Sequence, residues 1–168
     1  EYGASPLHLA ASRGLNGIVS TLLLRGADKD ALDCRGQTPL MWASYHGRLS
    51  VVKTLVAAGA DTSIRDNDGD SALDFAAEEG FGNVIEALAE HGADMNACGD
   101  NGSTALHTAA VHDHAGAVDT LIKAGADVEL KMNLGSTPLA SAAFHCSCKA
   151  MHALLQHGAQ VDVRDNEG

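Results

Sequence analysis

Gly36-Gln37-Thr38-Pro39-Leu40-Met41-Trp42-Ala43-Ser44-Tyr45-His46-Gly47 carries the key to the architecture, because its landmarks return at a fixed interval. Glycine recurs at Gly3, Gly36, Gly69, Gly102, Gly135 and Gly168, each 33 residues after the last. A second series, Gly26-Ala27, Gly59-Ala60, Gly92-Ala93, Gly125-Ala126 and Gly158-Ala159, runs in phase with the first. Two registers sharing one period mark tandem structural units. The units run 3–35, 36–68, 69–101, 102–134 and 135–167 within one domain spanning 1–168, and Gly168 opens a sixth.

Each unit reads as a pair of short helices. Ser5, Thr38, Ser71, Thr104 and Thr137 offer a hydroxyl to the orphan N–H groups of a first helix. Pro6, Pro39 and Pro138 follow at the first helical position, where a missing N–H costs nothing. Leu7, Leu40, Leu73, Leu106 and Leu139 then start the apolar face. Gly14, Gly47 and Gly80 end that helix in the left-handed conformation that glycine tolerates. A second helix is predicted to place Ile18, Val19, Leu22 and Leu23 on one buried face, a stripe repeated as Val51, Val52, Leu55 and Val56. Gly26 stops it, and polar stretches such as 28–35 lead onward.

Gly36-Gln37-Thr38-Pro39-Leu40 resembles the G-x-T-P-L opening of ankyrin repeats, and Ser5-Pro6-Leu7-His8-Leu9-Ala10-Ala11 is close to the T-P-L-H-x-A-A signature. The resemblance covers essentially all of 3–168. It implies an all-α solenoid of stacked helix-turn-helix units joined by β-hairpin-like loops. It further implies a non-catalytic protein-interaction scaffold whose concave face, built from loop tips and first helices, takes the partner. Both ends of the array show apolar side chains rather than a polar cap (Ile18-Val19 and Leu22-Leu23-Leu24; Met151, Leu154 and Leu155), so a segment excised from a longer array is expected.

Composition narrows the function. The 168 residues carry a formal charge of −11 and are 45% hydrophobic, enough apolar material for a core. The acidic balance argues against nucleic-acid partners, whose phosphates such a surface repels. No apolar run approaches membrane-spanning length, and no basic segment precedes a greasy stretch at 1–10, so neither a membrane anchor nor a leader is expected. Four cysteines fit a reducing compartment, cytoplasmic or nuclear, and a monomer without cofactor is expected.

Charge is concentrated in one unit. Residues 69–101 hold Asp70, Asp74, Glu78, Glu79, Glu86, Glu90, Asp94 and Asp100 and no lysine or arginine. Carried over from the family, the partner-binding residues are Arg35, Gln37, Asp68, Asp70 and Asn101 at the loop tips, and Tyr45, His46, Glu78, Glu79, His112, Phe144 and His145 on first helices. Asp68, Asp70, Glu78 and Glu79 are expected to face the groove together, and with Tyr45 and Phe144 they suit a basic or amphipathic segment bearing an apolar anchor. The alternative is a structural spacer within a longer array, its acidic face merely solvated.

Other motifs are weaker. His8 and His107 occupy the signature histidine, whose family role is to link neighbouring loops; Met41, Asp74 and Ala140 replace it elsewhere. His145-Cys146-Ser147-Cys148 with His152 and His112 or His114 gathers zinc-type donors, but Cys-x-Cys is not the usual paired spacing, and no metal site is assigned. No nucleophile–His–acid set, phosphate-binding glycine loop or H-E-x-x-H is present, so no catalytic residue is assigned. Asp94-Met95-Asn96 resembles the loops that asparaginyl hydroxylases accept in ankyrin repeats, which makes Asn96 a candidate for hydroxylation. Asp113 and Cys146 stand where glycine ends the first helix, and Ala117 and Ala150 replace larger apolar residues, so the C-terminal half is expected to fray first.

Overall fold

The computed structural model describes residues 3–163. Gly168, proposed to open a sixth unit, lies outside the described residues. Ten helices fall within them as five pairs: α1 (Pro6–Ser12) with α2 (Asn16–Leu24), α3 (Pro39–Tyr45) with α4 (Leu49–Ala57), α5 (Ala72–Glu78) with α6 (Gly82–Glu90), α7 (Ala105–Val111) with α8 (Ala115–Lys123), and α9 (Pro138–Phe144) with α10 (Cys148–Gln156). The first helices pack side by side in one row and the second helices in another. The all-α solenoid is therefore observed directly.

The caps work as their residue types dictate. Ser5, Thr38, Ser71, Thr104 and Thr137 all sit at the N-cap in extended conformation. Thr38 Oγ1 accepts from the Met41 N–H at 3.2 Å, and Thr137 Oγ1 from Ala140 N–H at 3.3 Å. Each satisfies an N–H that the helix itself leaves unpaired.

Small side chains set the spacing of the first-helix row. Ala10, Ala43, Ala76, Ala109 and Ala142 form one line, none more than 3% exposed. Ala11, Ser44, Ala77 and Ala110 form the next, all fully buried. A methyl group lets adjacent helices approach closely, whereas leucine there would wedge them apart. Ser44 brings a hydroxyl into that line, and its Oγ has no hydrogen-bond partner.

Every unit has two different sides. Val51, Val84, Ala117 and Ala150, equivalent positions on the second helices, are at most 1% exposed. Ile18, expected on the buried stripe, is instead 53% exposed. The row faces the preceding pair, and no pair precedes α1–α2 among the described residues. Val19 of the same stripe is fully buried, and Leu22 and Leu23 pack partly against the core.

The loops between units close as tight turns, with no strand among the described residues. Asp33 N–H donates to Gln37 O at 3.0 Å and Gly36 N–H to Asp33 O at 3.0 Å; the bonds recur from Asp66 and Met132. Asp33 Oδ1 also accepts from the N–H groups of Arg35 and Gln37, and Asp66 Oδ1 from those of Asp68 and Asp70. A carboxylate collecting two backbone donors holds the tip rigid.

Links between units are specific. His8 Nδ1 accepts from Ser5, which leaves Nε2–H to donate to Gln37 O of the next unit at 2.9 Å. His107 repeats this with Thr104 and Ser136 O. Burial lowers the pKa of His107, opposed by its bond to Ser136. At Asp74 only half of the device survives. Its Oδ2 accepts from Ser71 N–H and Oγ at 2.9 and 2.7 Å and from Arg65 Nη1 at 3.2 Å, but a carboxylate cannot donate to the next loop. Asn96 carries a different link across that same junction, accepting from Asp127 N–H at 2.7 Å and donating to Gly125 O at 3.2 Å.

Asp113 takes the left-handed backbone expected of it and adds a role of its own. Its φ of 59° is left-handed, as is the 57° of Cys146. Asp113 Oδ1, however, accepts from the N–H groups of Lys149 and Ala150 at 2.7 and 2.9 Å. These are the second and third residues of α10, so Asp113 caps that helix from the unit before. The carboxylate also sits at the positive end of the helix dipole. Cys146 offers no such return; its side chain is exposed.

The two left-handed residues should therefore respond oppositely to glycine. Cys146→Gly should stabilise the protein by about 1 kcal/mol through relief of the left-handed backbone. Asp113→Gly should destabilise it by about 1 kcal/mol despite the same relief, because α10 loses its cap. Urea unfolding of both variants checks this, and stabilisation by both would refute the capping role.

Candidate functional site

The helix row and the loop tips enclose a cleft of about 460 Å³ on one side of the stack. It lies where α3 and α5 meet the loops that precede them. Its floor is aromatic, with Trp42 and Tyr45 on α3 and Phe75 on α5. Its rim is charged, with Asp66, Asp68, Asp70 and Glu78 facing Arg35.

Each wall is held in place by a separate contact. Trp42 Nε1 donates to Asp33 Oδ2 at 3.1 Å, which fixes the indole plane. Tyr45 and Phe75 meet edge to face, centroids 5.9 Å apart and planes at 89°, forming a corner. His46 donates from Nδ1 to Trp42 O at 2.9 Å, because a carbonyl can only accept, and so turns Nε2 outward as an acceptor. Gln37 Nε2 donates to Asp66 Oδ2 at 3.0 Å. With its other oxygen accepting two backbone N–H groups, Asp66 is held by three hydrogen bonds within the fold.

The remaining rim carboxylates are not. The ion pairs of the described residues are Lys29–Asp30, Arg65–Asp74 and His157–Asp119, and none reaches Asp68, Asp70 or Glu78. Loss of hydration in the cleft, and then the neighbouring charges of Asp74, Asp66, Glu78 and Asp68, push the pKa of Asp70 up to about 6. Such a rim repels itself and is relieved by an incoming cation.

The other candidate residues are distributed more widely. Arg35, Gln37, Tyr45, His46, Asp68, Asp70 and Glu78 all line the cleft. Glu79, expected to join them, caps α5 and is exposed beyond its edge. Asn101 borders a second depression of about 310 Å³, shared with Asp68, Asp70 and Thr108. His112 stacks on His114, and Phe144, 85% exposed, meets His145 edge to face. His112, Phe144 and His145 lie on α9 or at the ends of α7 and α9, and none of them lines the cleft.

Trp42 and Phe75 were not singled out by the sequence patterns. They stand one helical turn before Tyr45 and Glu78, on the same face, and the three-residue spacing was the available signal. The zinc-type donors are not brought together. His145 and His152 donate from Nδ1 to Ser141 O and Cys148 O, and Cys148 Sγ contacts Cys146 O. Among the described residues no three His, Cys, Asp or Glu side chains gather as a metal site. The side chain of Asn96 is engaged at both ends in the link to Gly125 and Asp127.

Asp70 gives the site a signature in stability. Its folded pKa lies above the unfolded value, so the folded state takes up its proton first and this contribution improves as pH falls through about 6. His107 acts the other way, its contribution present at neutral pH and lost below its unfolded value. Comparison with Asp70→Asn isolates the first effect. The variant should be more stable than the parent at about pH 7, with the difference shrinking towards about pH 4. Urea unfolding at the two pH values measures it, and a pH-independent difference would contradict an electrostatic origin at Asp70.

A family model described as ankyrin repeats (3 copies) matches residues 7–98 and, again, 73–165. Comparison with curated proteins returns no match. Ankyrin repeats generally serve as protein–protein interaction modules, and the family is typically non-enzymatic. None of the helices among the described residues is long and apolar enough to cross a membrane. With the repeat motifs, the stacked helix pairs and the matched family model in agreement, this chain belongs to the ankyrin repeat family.

Proposed function

We propose that the protein is a non-catalytic scaffold that binds a basic segment of a protein partner on its concave face, around the cleft between α3 and α5. The observation that carries this reading is the pairing of an aromatic floor, Trp42, Tyr45 and Phe75, with rim carboxylates, Asp68, Asp70 and Glu78, that form no ion pair among the described residues. An apolar floor supplies contact area, and the charged rim supplies attraction and register. The acidic field of residues 69–101 extends beyond the cleft and would steer a basic chain towards it. Four free, exposed cysteines suit a reducing compartment, on which ground we place the protein in the cytoplasm or nucleus.

The test uses two fluorescent peptides of equal length, one alternating leucine with lysine and arginine, the other alternating leucine with glutamate. Anisotropy should show binding of the basic peptide alone, weakened as salt rises from about 50 to about 500 mM. The double variant Asp70→Lys, Glu78→Lys, with helicity checked by circular dichroism, should lose about tenfold in affinity or more. Equal binding by the variant would move the site elsewhere. Preference for the acidic peptide, or no binding of either, would reject the reading in favour of a spacer.

A further inference from the structure

We infer that the residue seated in the cleft is an arginine, rather than a lysine or a trimethylated lysine; this rests on the cleft being the binding site. The cleft makes two demands on an occupant, and they come from different atoms. The Tyr45–Phe75 corner, with the indole of Trp42 also lining the cleft, gathers three aromatic rings that suit a flat and weakly hydrated cation. The rim demands N–H donors. Asp66 needs none, because its oxygens already accept from Asp68 N–H, Asp70 N–H and Gln37 Nε2. Asp68, Asp70 and Glu78 have no side-chain donor of their own among the described residues.

A guanidinium meets both demands at once. It is planar, stacks on aromatic faces, and carries five N–H donors in a fork that matches carboxylates two at a time. A lysine ammonium is a compact, strongly hydrated charge that gains less from the rings. A trimethylated lysine suits the rings but has no N–H, so the carboxylates would be covered without a hydrogen bond. Arg35, the cation already at the rim, opposes any positive ligand alike and does not choose among the three. Asp70 adds a pH dependence, since its protonation removes one acceptor charge.

Trp42 is the sole tryptophan of the chain, so its fluorescence reports occupancy of the cleft directly. Four acetylated, amidated peptides of sequence SGLXLGS, with X as arginine, lysine, trimethyllysine or citrulline, are titrated against the whole protein. The arginine peptide should perturb Trp42 with a dissociation constant at least about tenfold below those of the lysine and trimethyllysine peptides. Citrulline, of the same shape without the charge, should bind no better than they do. Glu78→Gln and, separately, Tyr45→Ala should each bring the arginine peptide down towards the lysine value. Tyr45 is 43% exposed, and the fold of both variants is checked by circular dichroism. Lysine or trimethyllysine matching arginine would overturn the inference and leave the acidic-groove reading standing. Silence from all four, with the longer basic peptide still bound, would overturn the arginine inference alone. Failure of that peptide as well would overturn both.

Discussion

Each helix pair completes its core only against its neighbours, and the line of alanines along the first helices is the constraint that makes this possible. A seven-residue helix such as α3 is too short to persist alone in water. Ala10, Ala43, Ala76, Ala109 and Ala142 allow the next helix to come close enough for Leu7, Leu40, Leu73, Leu106 and Leu139 to be buried beneath it. The burial is directional. The row that begins with Ile18 is covered by the pair before, and the row that begins with Ala11 by the pair after; hence Ile18 and Ala143 are exposed while their counterparts are sealed.

Close stacking leaves buried polar groups, and their partners give the array its rigidity. Thr38, Ser71, Thr104 and Thr137 are buried because they cap helices. His8 and His107 are buried because they tie one loop to the next. Where the residue types change, the links change with them. Asp74 keeps the bond to its own N-cap and recruits Arg65, and the junction ahead of it retains the Asn96 link, whose equivalents Asp30 and Glu129 make the same bond at their own junctions. Asp113 gives up a favoured backbone for a cap on α10. The functional surface follows from the same geometry. Side chains that point away from the alanine line, towards the loop tips, are free to differ from unit to unit, and there the aromatic floor meets the acidic rim.

The 33-residue period, the capping hydroxyls and the leucine row made the solenoid legible without coordinates, because each reports a local requirement that repeats. What escaped depended on partners distant along the chain. Asp113 looked like a strained substitute for glycine because the N–H groups it caps lie 36 and 37 residues further on. Ile18 carried the right pattern, but burial there requires a preceding pair. Seven of the proposed groove residues do line one cleft, whereas Glu79 points past it and Phe144 lies beyond the neighbouring unit. Trp42 and Phe75 were hidden because reading along the last turn of each first helix misses the residue one turn earlier. Their importance appears only once α3 and α5 are side by side.

The functional reading stands or falls on which face of the stack meets a basic ligand. Backbone amide shift mapping of the isotope-labelled protein, titrated with the alternating leucine–lysine/arginine peptide, answers this residue by residue. Perturbations should concentrate at 35–46 and 66–78, with the indole signal of Trp42 among the largest, while α4, α6 and α8 stay unchanged. Shifts confined to those second helices, or spread evenly over every acidic residue, would contradict a built binding cleft and leave only a charged surface.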